Sequence, residues 1–348
     1  MTLPRALLLC SFIAAVQCFA QSPDSIKDLK VLYETVARSY DFTSPTLEPW
    51  QLTATYQVFD SAGNFAGSGT YHFWWLSANV HRSTWTRGSA VESVWQTADG
   101  RKLQVSSGGP IHLFEIDFIR ELLSPLPDPK NPLFGDTYFE RQTRTFGGVK
   151  APCINIVGRR TPHHTTPFPY APPVAQIEYT FCFDPKLPVV VFGSTMMGTD
   201  YAYSDFVRTQ DRYLPRSFVE SINGRKLISV SVGSITALDP QDPALSPPAD
   251  AKPDTDALVS AAPNDAYSHR ISGSSIDYPK GSQGTVLLEV VITKDGDVRD
   301  AVPISSPDPA LSAAAIESLS RWKFKPWLVD GHAVEVRAQM EWRFSRGP

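Results

Sequence analysis

Near its C-terminus the chain alternates without a break: Val334, Val336, Ala338, Met340, Trp342 and Phe344 are apolar or small, and Glu335, Arg337, Gln339, Glu341 and Arg343 between them are polar or charged. A period of two belongs to an extended strand whose successive side chains point to opposite faces. One face therefore needs an apolar cover, and the other is expected to stay in water. The residues upstream supply that cover. Val286 to Ile292 reads as a buried strand, Lys294-Asp295-Gly296-Asp297 as a hairpin turn, and Val298 to Ile304 as the returning strand. Asp308 as N-cap and Pro309 at the first helical position start a helix whose apolar stripe is Leu311, Ala315, Leu319 and Trp322. Pattern alone thus predicts three antiparallel strands with one helix on their apolar face.

A Pro-rich segment over 239–268 separates this module from the rest. Pro240, Pro243, Pro247, Pro248, Pro253 and Pro263 interrupt Asp, Ala and Ser there, with almost no large apolar residue. Such a stretch is expected to be a semi-extended linker between a domain at 21–238 and one at 269–348. The first domain opens on a helical pattern, Ile26, Leu29, Leu32, Tyr33 and Val36, and carries a second over His112 to Leu123 with Phe114, Phe118, Ile119 and Leu122 on one stripe. Nearly everything else is strand-like and joined by short turns such as Gly63-Asn64 and Asp99-Gly100. The class predicted for the whole is α+β, with a curved antiparallel sheet curled around one or two helices into a half-barrel.

Residues 1–20 carry Arg5, an apolar run and a small residue at Ala20, which reads as a secretory signal cleaved before Gln21; the alternative is an uncleaved inner-membrane anchor. Export would leave Cys153 and Cys182 as an even pair, expected to bridge neighbouring strands and contribute roughly 3 to 4 kcal/mol through loop closure.

With 32 basic and 36 acidic residues scattered along the chain, a phosphate-binding surface and a nucleic-acid partner are not expected. The sequence has no Gly-x-Ser-x-Gly elbow, phosphate-cradling glycine loop, His-Glu-x-x-His or Cys-x-x-Cys. His163-His164 reads as a solvated loop pair rather than a metal site. Asp117 and Glu121, four residues apart, read as the wet face of their helix. No cofactor, metal or catalytic residue is expected, and a binding protein is favoured over an enzyme.

Tyr278-Pro279, Gly284-Thr285-Val286, Asp295-Gly296-Asp297-Val298, Leu311 with Ala313 to Ala315, Trp322-Lys323-Phe324-Lys325-Pro326, Asp330-Gly331 and the final strand together resemble the TonB C-terminal domain. One departure is that only Lys280-Gly281-Ser282-Gln283 stands where family members usually place a short helix. In the first domain, Phe183-Asp184-Pro185-Lys186-Leu187-Pro188, Tyr203-Ser204-Asp205-Phe206, Leu214-Pro215-Arg216-Ser217-Phe218 and Asn223-Gly224-Arg225-Lys226 are similar to the LolA/LolB-like lipoprotein carriers, in which a curved sheet lines a cavity for acyl chains. Phe73, Trp74 and Trp75 could line such a cavity, although aromatic residues on a strand more often form plain core. The resemblances imply a periplasmic protein whose edge strand, Val334 to Phe344, takes up a segment of an outer-membrane TonB-dependent receptor or another envelope protein. They also imply that its first domain holds a lipid, a lipoprotein or a protein. An anchored energy transducer and an enzyme in the first domain are the alternatives.

Overall fold

The computed structural model describes residues 22–109, 111–127, 137–160, 174–195, 198–253, 258–261, 263–273 and 282–344. The expected signal segment, His163-His164 and Tyr278-Pro279 lie outside these residues.

The first domain begins with α1 (Leu29–Ser39) and continues through β1 (Trp50–Phe59), β2 (Phe65–Ser77), β3 (Val80–Arg87), β4 (Ala90–Gln96) and β5 (Lys102–Ser107). Then come α2 (Leu113–Leu123), β6 (Thr137–Phe146), β7 (Val149–Arg160), β8 (Val174–Phe183), β9 (Val190–Thr195), β10 (Thr199–Thr209), β11 (Arg212–Ile222) and β12 (Arg225–Ala237). Further on lie β13 (Lys252–Pro253), β14 (Val259–Ala261), α3 (Pro263–His269), β15 (Arg270–Ser272), β16 (Gly284–Ile292), β17 (Val298–Ser305) and α4 (Pro309–Leu319). Four short or final strands close the series: β18 (Lys323–Phe324), β19 (Trp327–Val329), β20 (His332–Val334) and β21 (Val336–Phe344).

One antiparallel sheet takes up β1–β13 in the order β13-β5-β4-β3-β2-β1-β12-β11-β10-β9-β8-β7-β6. Every adjacent pair but β1–β12 and β13–β5 is a sequential hairpin, so local turn chemistry sets most of the sheet. The sheet wraps α1 and α2, whose Leu32, Tyr33, Val36, Phe118 and Leu122 share one core with inward side chains from both halves of it. Asp28 caps α1 by accepting from the Lys30 and Val31 amides at 2.9 and 3.2 Å. Trp50, fully buried, packs on Phe42, Phe73 and Trp75, and Tyr71 meets Phe118 edge-on at 5.4 Å. Each such aromatic stabilises the fold by about 1.5–3 kcal/mol through burial. Phe73 and Trp75 are therefore core, whereas Trp74 turns to the outer face under Arg82. Gly69 has no Cβ because Tyr56 and the Thr86 carbonyl occupy that space, at 2.3 Å from where one would stand. Cys153 and Cys182 stand directly opposite on β7 and β8 and form the expected disulfide.

In the second domain β16, β17 and β21 are antiparallel, and α4 covers one face through Leu311, Ala315 and Leu319. Asp308 caps α4 by accepting from the Ala310 amide at 2.8 Å, as predicted. Three expectations need correction. The alternating run is two strands, β20 and β21, broken at Glu335, because the Asp330-Gly331 turn folds β20 back on β19. The sheet has four strands in the order β14-β21-β16-β17, so β21 is not at the edge. The linker is not free: its 3-10 turn Pro243–Leu245 places the Ala244 carbonyl within reach of Arg82 and of the Trp95 indole N–H, at 3.2 and 3.0 Å. β13 then adds to β5, and β14 to β21. Backbone hydrogen bonds and aromatic contacts do here what the missing large apolar residues could not.

Candidate partner-binding strand

β21 is built for two-sided burial. Ala338, Met340 and Phe344 enter the core beneath α4, as the alternation requires. Arg337 and Gln339, expected to be wet, are only 4% and 8% exposed, because their face lies on the first domain. Arg337 donates to both carboxylate oxygens of Glu92 on β4, at 2.9 and 3.1 Å, and to the Ile111 carbonyl at 2.6 Å. On the neighbouring strand β16, Glu289 accepts from the first amide of α2, Leu113, at 2.5 Å, and its other oxygen is 3.3 Å from His112 Nδ1. A carboxylate from one domain thus caps a helix of the other, at the end where the helix dipole favours negative charge. Asn223, in the turn between β11 and β12, accepts from the Thr285 amide at 2.9 Å and donates to its carbonyl at 2.7 Å, like a strand one residue long. Leu287 and Ile304 complete the seam by joining the first domain's core.

Burial raises the Glu92 carboxyl above the usual carboxylate range, against the pull of Arg337. Burial also lifts the Glu341 carboxyl to about 7. Glu335, between the strands, stays at the surface and pairs with Arg299 at 3.0 Å. Val334, on β20, and Val336 are buried, Trp342 packs against the core beneath α4, and Arg343 is exposed.

The remaining direction is along the sheet. β14 runs parallel to β21 with Val259, Ser260 and Ala261 opposite Val336, Arg337 and Ala338. The Val259 amide donates to the Glu335 carbonyl at 3.1 Å. Odd-numbered residues of β21 therefore turn their backbone groups outward, and one further along is used too: Tyr267 of α3 donates its hydroxyl to the Glu341 carbonyl at 2.5 Å. This edge of the candidate strand is thus paired with three residues of the same chain. Sequence reasoning missed Val259 and Tyr267, because a three-residue strand inside a Pro-rich stretch has no periodicity to read. It missed Glu92, Glu289 and Asn223 because nothing local marks a side chain whose partner lies in another domain.

Among the described residues no helix is long and apolar enough to cross a membrane, and no three His, Cys, Asp or Glu converge as metal ligands.

Residues 278–345 match the family described as the Gram-negative bacterial TonB protein C-terminal. Protein TonB of Vibrio cholerae serotype O1 is 33% identical over 92 residues, which cover 26% of this chain and 35% of that protein. The chain thus spans about a third of the length of the curated relative it matches. Among solved structures, a LolA superfamily protein from Nitrosomonas europaea is similar at a TM-score of 0.35 and 9% identity, covering 62% of this chain and 97% of its own. A DUF1329 family protein from Desulfovibrio piger is similar at 0.36 and 10% identity, covering 62% and 98%.

Proposed function

We infer that this chain is a binding protein of the cell envelope and not an enzyme, and that β21 takes up an extended segment of a partner protein as an added strand. The observation that carries this reading is β14: the chain itself supplies a parallel strand to β21, through main-chain hydrogen bonds that any extended segment could make. The partner class the TonB likeness favours is an outer-membrane TonB-dependent receptor or another envelope protein. β14 is short, with only three residues in register, so a longer segment can compete for its place. Phe73 and Trp75 pack on Trp50, so these two aromatics serve as core in the first domain.

The side faces of β21 are occupied by α4 and by the first domain, so a partner has only the backbone edge to use. Affinity would then come from main-chain pairing, and selectivity from side chains of the incoming segment against α3 and β20. The test is capture of receptors from solubilised outer membranes by the wild-type chain and by Val259→Pro. Proline removes the amide that donates to Glu335, so the edge opens and capture rises; equal or no capture by both chains overturns strand addition. Whether the protein acts as a soluble accessory or an anchored transducer is decided by N-terminal sequencing after export, with Gln21 expected first.

A further inference from the structure

The sheet of the first domain has two ends, and they are built differently. At one end lies β13, two residues long, with Pro253 in its ladder opposite Leu103. A short strand carrying a proline gives an incoming strand little to pair with. At the other end lies β6, ten residues long, without proline and without a shift in its register against β7. Among the described residues no strand pairs with its outer side.

Which backbone groups of β6 face that open side follows from its hairpin. Gly147 and Gly148, both at positive φ, make a two-residue turn closed by Phe146 and Val149. The pair that closes such a turn exchanges both hydrogen bonds, so even-numbered residues of β6 bond to β7 and odd-numbered ones turn their amides and carbonyls to the edge. Pro152 of β7 agrees with this parity, because it stands opposite Thr143, where no amide of β7 is needed for β6. The side chains alternate as well. Phe139 enters the core and stacks on Tyr33 at 5.2 Å, whereas Arg144 and Phe146 lie on the outer face against Phe192. Glu140 shares the outer face, exposed and without an ion pair among the described residues. Arg141 is tied on the inner side to the Ile26 and Lys27 carbonyls.

Glu140 and Arg144 stand about 13 Å apart along one strand, beyond each other's reach. A second copy changes that. When β6 pairs antiparallel with its own copy, odd residues must meet odd ones, so the two-fold axis passes through a residue and not between two. Centred on Gln142, the register sets Glu140 opposite Arg144 of the second copy, twice by symmetry, and Tyr138 opposite Phe146. Centred on Glu140, Arg141 or Arg144 it sets like charges against each other, and centred on Thr143 it leaves Glu140 opposite Phe146. Registers centred nearer either end shorten the ladder. One register therefore satisfies both parity and charge.

We propose that β6 is a self-association edge, at which two copies of this chain pair their β6 strands antiparallel about Gln142 and join their sheets. The interface is isologous, with main-chain hydrogen bonds from Phe139, Arg141, Thr143 and Thr145 and with its register fixed by the two Glu140–Arg144 pairs. It uses a different strand from β21 and is independent of strand addition there.

The test is sedimentation velocity of the full chain across a concentration series at low salt. A reversible monomer–dimer equilibrium is expected, weakened by added salt. Glu140→Arg and Arg144→Glu each set like charges opposite one another and weaken dimerisation by about tenfold or more. An equimolar mixture of the two variants, and the double variant, restore it, because every pair is again of opposite sign. Thr143→Pro, which deletes an outward amide and leaves the ladder to β7 intact, abolishes dimerisation, and Thr143→Ala keeps it. Thermal transitions confirm that the variants fold, and the proline and alanine variants carry the test if a charge variant does not. A chain that stays monomeric up to millimolar concentration, a dimer indifferent to these variants, or a loss that neither the mixture nor the double variant recovers overturns the proposal.

Discussion

Arg337 of β21 and Glu92 of β4, 245 positions apart in the chain, meet at 2.9 Å with side chains only 5% and 6% exposed. The pair fastens the second domain to the first, and it is the physical reason the charged face of β21 is not wet. Removing one partner leaves the other's charge largely buried without its counterion, which costs about 3–5 kcal/mol. Arg337→Met is expected to lower the thermal transition sharply, and adding Glu92→Leu to recover much of the loss. A single variant as stable as wild type would mean that the seam is open in solution.

The Cys153–Cys182 bridge closes a loop of 29 residues' separation in a buried pair of strands. Alkylation without reductant is expected to modify neither thiol, and reduction to lower stability by roughly 3–4 kcal/mol on the chain-entropy estimate. Labelling of both cysteines in freshly isolated protein would remove the bridge from the account.

Much of the fold is legible in the sequence because local rules decide it. The Asp308-Pro309 start of α4 and the alternating burial of β21 under that helix follow from nearest neighbours and period. So do the turns at Gly63 and Asn223-Gly224, which take the positive φ that such residues allow. The disulfide was legible from parity and strand adjacency. What was not legible depends on contacts between segments far apart in sequence. The alternation of Glu335 to Arg343 is the same whether that face meets water or another domain, and Asp117 and Glu121 have the spacing of a wet helix face whatever packs on it. A segment such as Val259-Ser260-Ala261 becomes a strand only because β21 offers it a ladder.

Burial holds the Glu341 carboxyl at about 7, against 4.5 for an ordinary glutamate. A raised folded-state value means the contribution to stability is complete below about pH 4.5 and is lost as pH rises through about 7. At about 1.4 kcal/mol per unit, the loss is up to about 3 kcal/mol. In an amine-free buffer the thermal transition is expected to be higher at pH 5 than at pH 8, with a smaller difference in Glu341→Gln. Equal pH slopes in the two proteins would show that Glu341 is ordinarily solvated.

The central claim is that β21 accepts a strand where residues 259–261 now sit, and amide hydrogen exchange at Arg337 tests it most directly. With Val259 opposite Val336 and its amide on Glu335, the parallel register returns the Arg337 N–H to the Val259 carbonyl. That amide is expected to be protected in the wild-type chain, to exchange faster in a chain lacking residues 258–262, and to regain protection when a peptide of those residues is supplied at saturating concentration. Protection that survives the deletion, or that no added peptide restores, would contradict strand acceptance at β21.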